Sequence, residues 1–502
     1  MNQSRRSPNP PASSRLLLDV HERPEPLEWI ILAIQHVFAM FGATILVPIL
    51  VNAAAGETVL TIPVALVTSG IGTLIYIVCT KGHSPVYIGS SFAFITPLAV
   101  AYLQGGIAGA MTGMMVVGAI YVVTAIIVHF IGKGWIDTLL PPVVVGPMIM
   151  IIGLGLAPSA VTQIGLDTMT LEWTGILIIL GIALVAALLV LGLRLVLQQI
   201  DSYGVRLAMT IGVIALVIVA ATLFGHNFFE SMSVELRGLI SALVTFLTIA
   251  LLAVAGRGFF KIIPVLLGIV VGYVVAAVLG LVDFAPVIEA AFFSMPAFMV
   301  PFISYQPSFS AALTMAPIAI VTMSEHIGDH TALGKIIGKD LLHDPGLDRT
   351  LAGDGIATFV AALLGGPANT TYGENTAVVG LTKVASVWVI GLAAIIAVCL
   401  GFLGKFTALV STIPNPVLGG ASIVLYGFIA TNGLKVLIEH QVDFSKLRNV
   451  IVALSMLVLG LGGASIPLTI GSVTITFSGM SLAAIAGVLL NLLLPAETEV
   501  GE

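Results

Sequence analysis

Glu325-His326-Ile327-Gly328-Asp329-His330 sets four titratable side chains within six residues. Glu325 and Asp329 are four apart, as are His326 and His330, so on a helix each pair shares one face. Two carboxylates so close in a low-dielectric setting cannot easily both be ionised, so one is expected to hold a proton. Such a pair takes up and releases protons, and its oxygens accept hydrogen bonds from N–H donors. The histidines invite a metal reading. The zinc-hydrolase pattern, however, is His-Glu-x-x-His, with the acid after the first histidine. Here the acid precedes it, and no third ligand presents itself where catalytic zinc takes three. No metal is expected, no catalytic group either, and His36 and His326 read as residues that hydrogen-bond one helix to another. A third acid, Glu374, stands in Tyr372-Gly373-Glu374-Asn375-Thr376.

The elements that must position these acids are apolar. Of 502 residues, 58% are hydrophobic and 9% charged, against roughly 25% charged in a soluble domain. Lipid, not water, has to cover such a chain. Net charge is −6 and there is no basic patch, so nucleic acid is not an expected partner. A spanning helix needs about 20 apolar residues. Segments that qualify lie near 28–52, 59–80, 107–131, 139–158, 172–195, 206–225, 237–256, 260–282, 311–329, 386–410, 416–438, 446–464 and 478–494. Three more, 86–103, 351–366 and 372–385, are short or interrupted, which makes sixteen. Glu325, Asp329 and Glu374 fall at membrane depth, where acids are costly and functional by default.

Residues 1–27 are polar and rich in Ser, Pro and Arg, and read as a flexible cytoplasmic tail rather than a signal peptide. With the N-terminus inside, only Arg237 and Lys405 of the nineteen Lys and Arg residues fall outside. That asymmetry is the positive-inside pattern, and it places both termini in the cytoplasm. Cys79 and Cys399 lie inside apolar runs and read as packing residues.

Three echoes tie the halves together. Gln35-His36 is answered by Glu325-His326, Ser69 to Thr73 by Asp354 to Thr358, and Pro142 to Gly146 with Gly153 by Pro416 to Gly420 with Gly427. They recur in order with slowly drifting offsets and an odd number of spans between partners, so the second half runs inverted. Inverted repeats mark secondary transporters, although short Gly/Pro matches also occur as packing motifs in helix bundles. Tyr87 to Pro97 and Pro367 to Thr376 each read as an extended stretch leading into a half-helix. Lipid forbids such unpaired backbone unless it lines a cavity.

Gln35-His36 with Phe38 to Thr44, Gly89 to Phe94, Glu325 to Gly328, Asp340-Leu341-Leu342 with Asp344 to Leu347, and Asn369 to Asn375 together resemble the nucleobase–cation symporter family, also called nucleobase–ascorbate transporters. The resemblance runs from about 28 to 494. Members with Glu at the position of Glu374 resemble uracil permeases; purine and xanthine members usually carry Gln. It implies an all-α polytopic fold of 7+7 inverted-repeat helices with two short strands in the broken segments. It implies a core domain over 28–131 and 311–410 and a gate domain over 139–282 and 416–494, with 495–502 as a second tail. It further implies that Glu325, Glu374 and the backbone of Phe92 and Gly373 hold the base, that Ala43 and Tyr372 line the site, and that Tyr426 supports proton coupling, to which the carboxylate chemistry adds Asp329, Glu325 and Glu374. Three features depart from the family: two extra hydrophobic segments at about 172–225, Ala377 where Gly is usual, and Asp329 where some uracil permeases have His.

The expected function is import of uracil or a close pyrimidine coupled to protons, with no cofactor beyond the proton. A purine or xanthine carrier is the alternative within the family, and a channel or anion transporter on the same fold the alternative outside it. A membrane metalloenzyme is more remote. The expected partners are the bilayer and the small nucleobase, with a homodimer left open.

Overall fold

The structure is a computed structural model, and it describes residues 16–169, 232–256, 259–308, 312–470 and 473–495. The helices that matter here are α1 (Pro26–Ala55), α2 (Ile62–Cys79), α3 (Ile95–Ile131), α4 (Pro142–Gly155), α5 (Val234–Ala255), α6 (Pro264–Val278), α7 (Ile318–Ile337), α8 (Leu347–Leu363), α9 (Gly373–Thr382), α10 (Val387–Gly401), α11 (Asn415–Glu439), α12 (Leu447–Leu461) and α13 (Gly479–Leu493). Strands β1 (Ile88–Ser90) and β2 (Asn369–Thr371) precede α3 and α9, and a hairpin of β3 (Ser465–Ile470) and β4 (Val473–Ser478) precedes α13. Among the described residues six helices are long and apolar enough to cross a bilayer, and four shorter apolar helices accompany them. The extra segments expected at 172–225 lie outside the described residues.

Local chemistry sets the ends. Proline opens α1, α2, α4 and α6 in the first turn, where no intrahelical N–H is lost. Ser233 and Ser478 cap α5 and α13 by accepting from Leu236 N and Ser481 N. Helix α7 runs eight residues beyond the expected end at 329, through Lys335, and stops at left-handed Gly338. Hydropathy marks where a helix leaves lipid, not where its backbone stops.

The two broken segments share a construction. β1 and β2 pair antiparallel, Gly89 opposite Thr370, and Tyr372 N→Tyr87 O (3.0 Å) and Ser91 N→Ala368 O (3.0 Å) extend the ladder at both ends. Thr73 Oγ1 donates to Ile88 O (2.9 Å) and accepts from Ile88 N (3.1 Å). Thr358 Oγ1 donates to Asn369 O (2.6 Å) and accepts from Asn369 N (3.2 Å). Each threonine ends one of the echoed motifs and satisfies both backbone groups of the first residue of its own strand. After β1, a 3-10 turn at Phe92–Phe94 leads into α3, which breaks at Gly106. There φ is 60° and ψ −159°, a conformation essentially reserved for glycine. Small residues let the helices behind the strands touch: a Cβ on Gly118 would sit 2.7 Å from Gly355 O.

The chain forms two compact units, Met1–Leu156 with Glu289–Ser411 and Leu425–Glu502, and Ala157–Ile288 with Thr412–Val424. In the second unit, Ile249, Ile269, Ala276, Val417 and Ala421 form a buried cluster between α5, α6 and the start of α11. The first unit holds α4, α12 and α13 together with the helices expected of a core, so the core and gate boundaries stand as a proposal.

Residues 16–25 are not the flexible tail that their polar composition suggests. Leu17 N→Lys383 O (2.7 Å), Ala385 N→Leu18 O (2.9 Å) and Val387 N→Val20 O (2.9 Å) lay the segment alongside 383–387. Val20 is fully buried against Leu333, Ile337 and Val379. Lys339 Nζ donates to Asp19 Oδ1 at 2.8 Å, and Trp29 Nε1 to Trp388 O at 2.7 Å. This strap covers the ends of α7 and α9.

Candidate functional site

A cavity of about 270 Å³ opens where the two broken segments meet α7. It is smaller than the roughly 300–1,000 Å³ clefts that take drug-sized ligands. Its wall includes Ser91, Phe92, Glu325, Asp329, Tyr372, Gly373, Glu374, Phe428, Asn432 and Lys435, all in the first unit.

Helix α7 sends both Glu325 and Asp329 to this wall, as their four-residue spacing requires. Asp329 Oδ2 accepts from Thr371 Oγ1 at 2.5 Å, which ties α7 to the end of β2. Glu325 is half-buried, and its Oε2 is buried with no hydrogen-bond partner among the described residues. Ser91 Oγ on the same wall is likewise unpartnered. An unsatisfied buried oxygen costs about 1–3 kcal/mol, so two of them facing one small cavity point to a polar occupant.

Glu374 lies in the first turn of α9. The first hydrogen bond inside that helix is Thr376 N→Tyr372 O (3.1 Å), so the N–H groups of Gly373, Glu374 and Asn375 have no partner within it. They place donors and a partial positive charge at the cavity. Tyr372, the residue before α9, is held rigidly. Its hydroxyl donates to Ser90 O (3.1 Å), meets Thr44 Oγ1 (3.0 Å), and its ring stacks on Tyr87 at 6.2 Å. Asn375 Nδ2 donates to His36 O (3.1 Å) and faces His36 Nδ1 (3.1 Å), which joins α9 to α1.

The structure thus brings Glu325, Asp329, Glu374, Phe92, Tyr372 and Gly373 to one cavity. Ala43 is buried in α1 and does not reach the wall; its neighbour Thr44 holds Tyr372 instead. Tyr426 also lies off the wall, packed edge-on against Phe92 at 5.9 Å.

Sequence reading passed over Asp354, counted only as an echo of Ser69. It is fully buried, and its Oδ2 accepts from His326 Nδ1 at 2.8 Å. His326 stacks on His330 at 4.0 Å, and His330 Nε2 bonds the hydroxyl of Tyr76. The histidines of α7 therefore face α8 and α2 while its acids face the cavity. Among the described residues no group of His, Cys, Asp and Glu is arranged to hold a metal. Asn432 and Lys435 were missed too, hidden in an apolar run; polar residues three apart inside a span were the available signal.

A sequence model of the Permease family matches residues 27–237 and 219–469. The uracil permease of Bacillus subtilis (strain 168) is 42% identical over 490 residues, 97% of each chain. That of Escherichia coli (strain K12) is 37% identical over 484 residues, 96% of this chain and 94% of that one. The putative pyrimidine permease RutG of Escherichia coli (strain K12) is 34% identical over 477 residues, 92% and 89%. Two solved structures are similar at 13% identity. The transmembrane domain of the cyanobacterium bicarbonate transporter BicA gives a TM-score of 0.55, covering 93% of this chain and 98% of that one. The murine Slc26a9 anion transporter in the inward-facing state gives 0.58, covering 94% and 68%. At that identity the likeness concerns the fold, a 7+7 inverted repeat.

Proposed function

This chain belongs to the Permease family of multi-pass membrane transporters, and on that premise we propose that it is a secondary active transporter that imports uracil, or a close pyrimidine nucleobase, together with protons. One observation carries the reading: Glu325 Oε2 is buried, and unpartnered among the described residues, at a small cavity that also receives the start of a half-helix. Uracil presents ring N–H donors and carbonyl acceptors in one plane. The carboxylates of Glu325 and Glu374 suit the donors, and the backbone N–H groups near Gly373 and Phe92 suit the carbonyls. The Phe92 side chain offers an apolar face to the ring. The names of relatives at 37–42% identity over nearly the whole chain support uracil over other bases.

Proton coupling is supported by three carboxylates on one wall, with Asp329 beside Glu325 and bonded to Thr371. Glu325 and Glu374 stay with the base, and Asp329 carries the mobile proton, with Tyr426 steadying Phe92. The core, residues 28–131 and 311–410, moves against the gate, residues 139–282 and 416–494. Both termini face the cytoplasm, in line with the distribution of Lys and Arg. A pore for anions would favour Arg or Lys over acids at its narrow part.

The test is uptake of radiolabelled uracil into proteoliposomes with and without an inward proton gradient, in competition with xanthine and hypoxanthine. Accumulation that needs the gradient and resists both purines is expected. Uptake displaced by xanthine, or indifferent to the gradient, would overturn the substrate or the coupling respectively.

A further inference from the structure

The groups assigned so far come from the broken segments and α7. Besides Ile149 of α4, the remaining wall belongs to α11, whose Phe428, Thr431, Asn432 and Lys435 reach the cavity. Their spacing of three and four residues puts them on one helix face.

These polar groups are not equivalent. Thr431 Oγ1 donates to Gly427 O at 2.7 Å, so its proton is committed within its own helix. Lys435 can only donate. The Asn432 side chain makes no hydrogen bond among the described residues, although the residue is half-buried. Its amide lies against the first residue of α9: a Cβ on Gly373 would be 3.3 Å from Asn432 Nδ2. Glycine at 373 thus leaves room for this amide beside the free N–H groups of the half-helix.

The other polar groups of the wall, the Ser91 hydroxyl apart, are one-sided. Carboxylates accept, and backbone N–H groups and ammonium groups donate. A primary amide offers a donor and an acceptor side by side, which is the complement of a ring edge that carries an N–H next to a C=O. We propose that Asn432 is a specificity-determining residue that reads such an N–H/C=O edge of the base from the α11 side, while the acids take the remaining ring N–H. This rests on the transport reading above and adds the means by which a cyclic amide is told from rings without one.

The experiment measures equilibrium binding of uracil, 2-thiouracil and 4-thiouracil to the full-length protein and to Asn432→Ala and Asn432→Asp. Sulfur replaces one acceptor oxygen in each analogue and accepts weakly. In the unaltered protein, the analogue altered at the edge that Asn432 reads binds about 10-fold more weakly than uracil. Asn432→Ala is expected to weaken uracil about 10- to 100-fold, to leave the melting temperature unchanged, and to abolish the penalty for that one analogue. Asn432→Asp keeps the shape, loses the donor and gives the same loss of discrimination, so misfolding of one variant does not hide the result. Wild-type affinity in Asn432→Ala, or unchanged penalties for both analogues, overturns the assignment alone. No uracil binding by the unaltered protein overturns the transport reading, and this assignment with it.

Discussion

Thr73 and Thr358 clamp β1 and β2 in the same way, and the strands pair through a shared register, yet the half-helices that follow are equipped differently. The first crossover brings Ser91 and Phe92, a hydroxyl and a ring, and its side chains carry no charge into the cavity. The second brings Glu374 and lies against Glu325 and Asp329. Symmetry governs the strand backbone, whose hydrogen bonds must close in both repeats because lipid tolerates loose ones only where they line a cavity. The side chains escape that constraint, so the charge gathers in one repeat. A site built this way has an uncharged half and a half that holds the carboxylates.

Exchanging the charge tests this division most severely. Glu374→Gln replaces an acceptor oxygen with a donor that would face a ring N–H of the proposed substrate, and is expected to cut uptake at least about 100-fold, since a mismatched buried group that involves charge costs about 3 kcal/mol or more. Ser91→Ala, at the matching place in the first crossover, should alter uptake by a few-fold at most. Equal losses from the two, in parallel transport assays, would dissolve the distinction.

The scaffold should respond in both repeats. Thr73→Val strands the buried Ile88 N–H, whose carbonyl still accepts from Ser69 Oγ at 3.1 Å, and Thr358→Val strands both the N–H and the C=O of Asn369, costs of roughly 1–3 and 2–5 kcal/mol. Thermal unfolding in detergent should show a drop for both, the larger for Thr358→Val. A large drop for one alone would mean that the repeats do not share the load.

Asp329→Asn probes function within the charged half. Binding of the proposed substrate should stay within a few-fold, while gradient-driven accumulation falls about 10-fold or more and loses its pH dependence between about pH 5 and 8. Glu325→Gln should instead damage binding itself. Accumulation by Asp329→Asn with an unchanged pH profile would leave the proton to Glu325 or Glu374.

The smallest effect concerns the strap, which lies over the second repeat's α7 and α9. Asp19 is held below its ordinary value of 3.8 chiefly by the hydrogen bond from Lys339. A depressed acid stabilises the fold above its unfolded value and loses that contribution as pH falls through the folded one. The pair is about half exposed, with side-chain accessibilities of 40% and 52%, so screening limits its contribution to less than about 1 kcal/mol. Asp19→Asn should lower stability by no more than that at pH 7, and by progressively less as pH falls below 3.8.

Much of this architecture could be read in the residues. The apolar runs anticipated most of the described helices within a few positions, α7 excepted, because lipid imposes length and composition directly. The broken segments announced themselves through Gly, Ser and Pro at membrane depth, and Glu325, Asp329 and Glu374 through charge where charge is rare. What escaped depended on distant partners. Asp354 looked like a repeat marker until His326, 28 residues away, met it. Asn432 and Lys435 were diluted by the apolar residues around them. The β3–β4 hairpin lies between spans, where a count of apolar residues carries no information. Val20 belongs to a polar stretch that became ordered through backbone pairing with residues 383–387, a partner that composition does not reveal.

The strap also has a consequence for the order of assembly. Trp29 and Trp388 are 359 residues apart in the chain, and the carbonyls and amides that receive residues 17–20 lie between 383 and 387. At about 5–20 residues per second of synthesis, the N-terminal segment exists for roughly 20–70 s before its docking surface has been made. This segment therefore waits for a surface made long after it, and its docking reports that the second repeat has been inserted and closed.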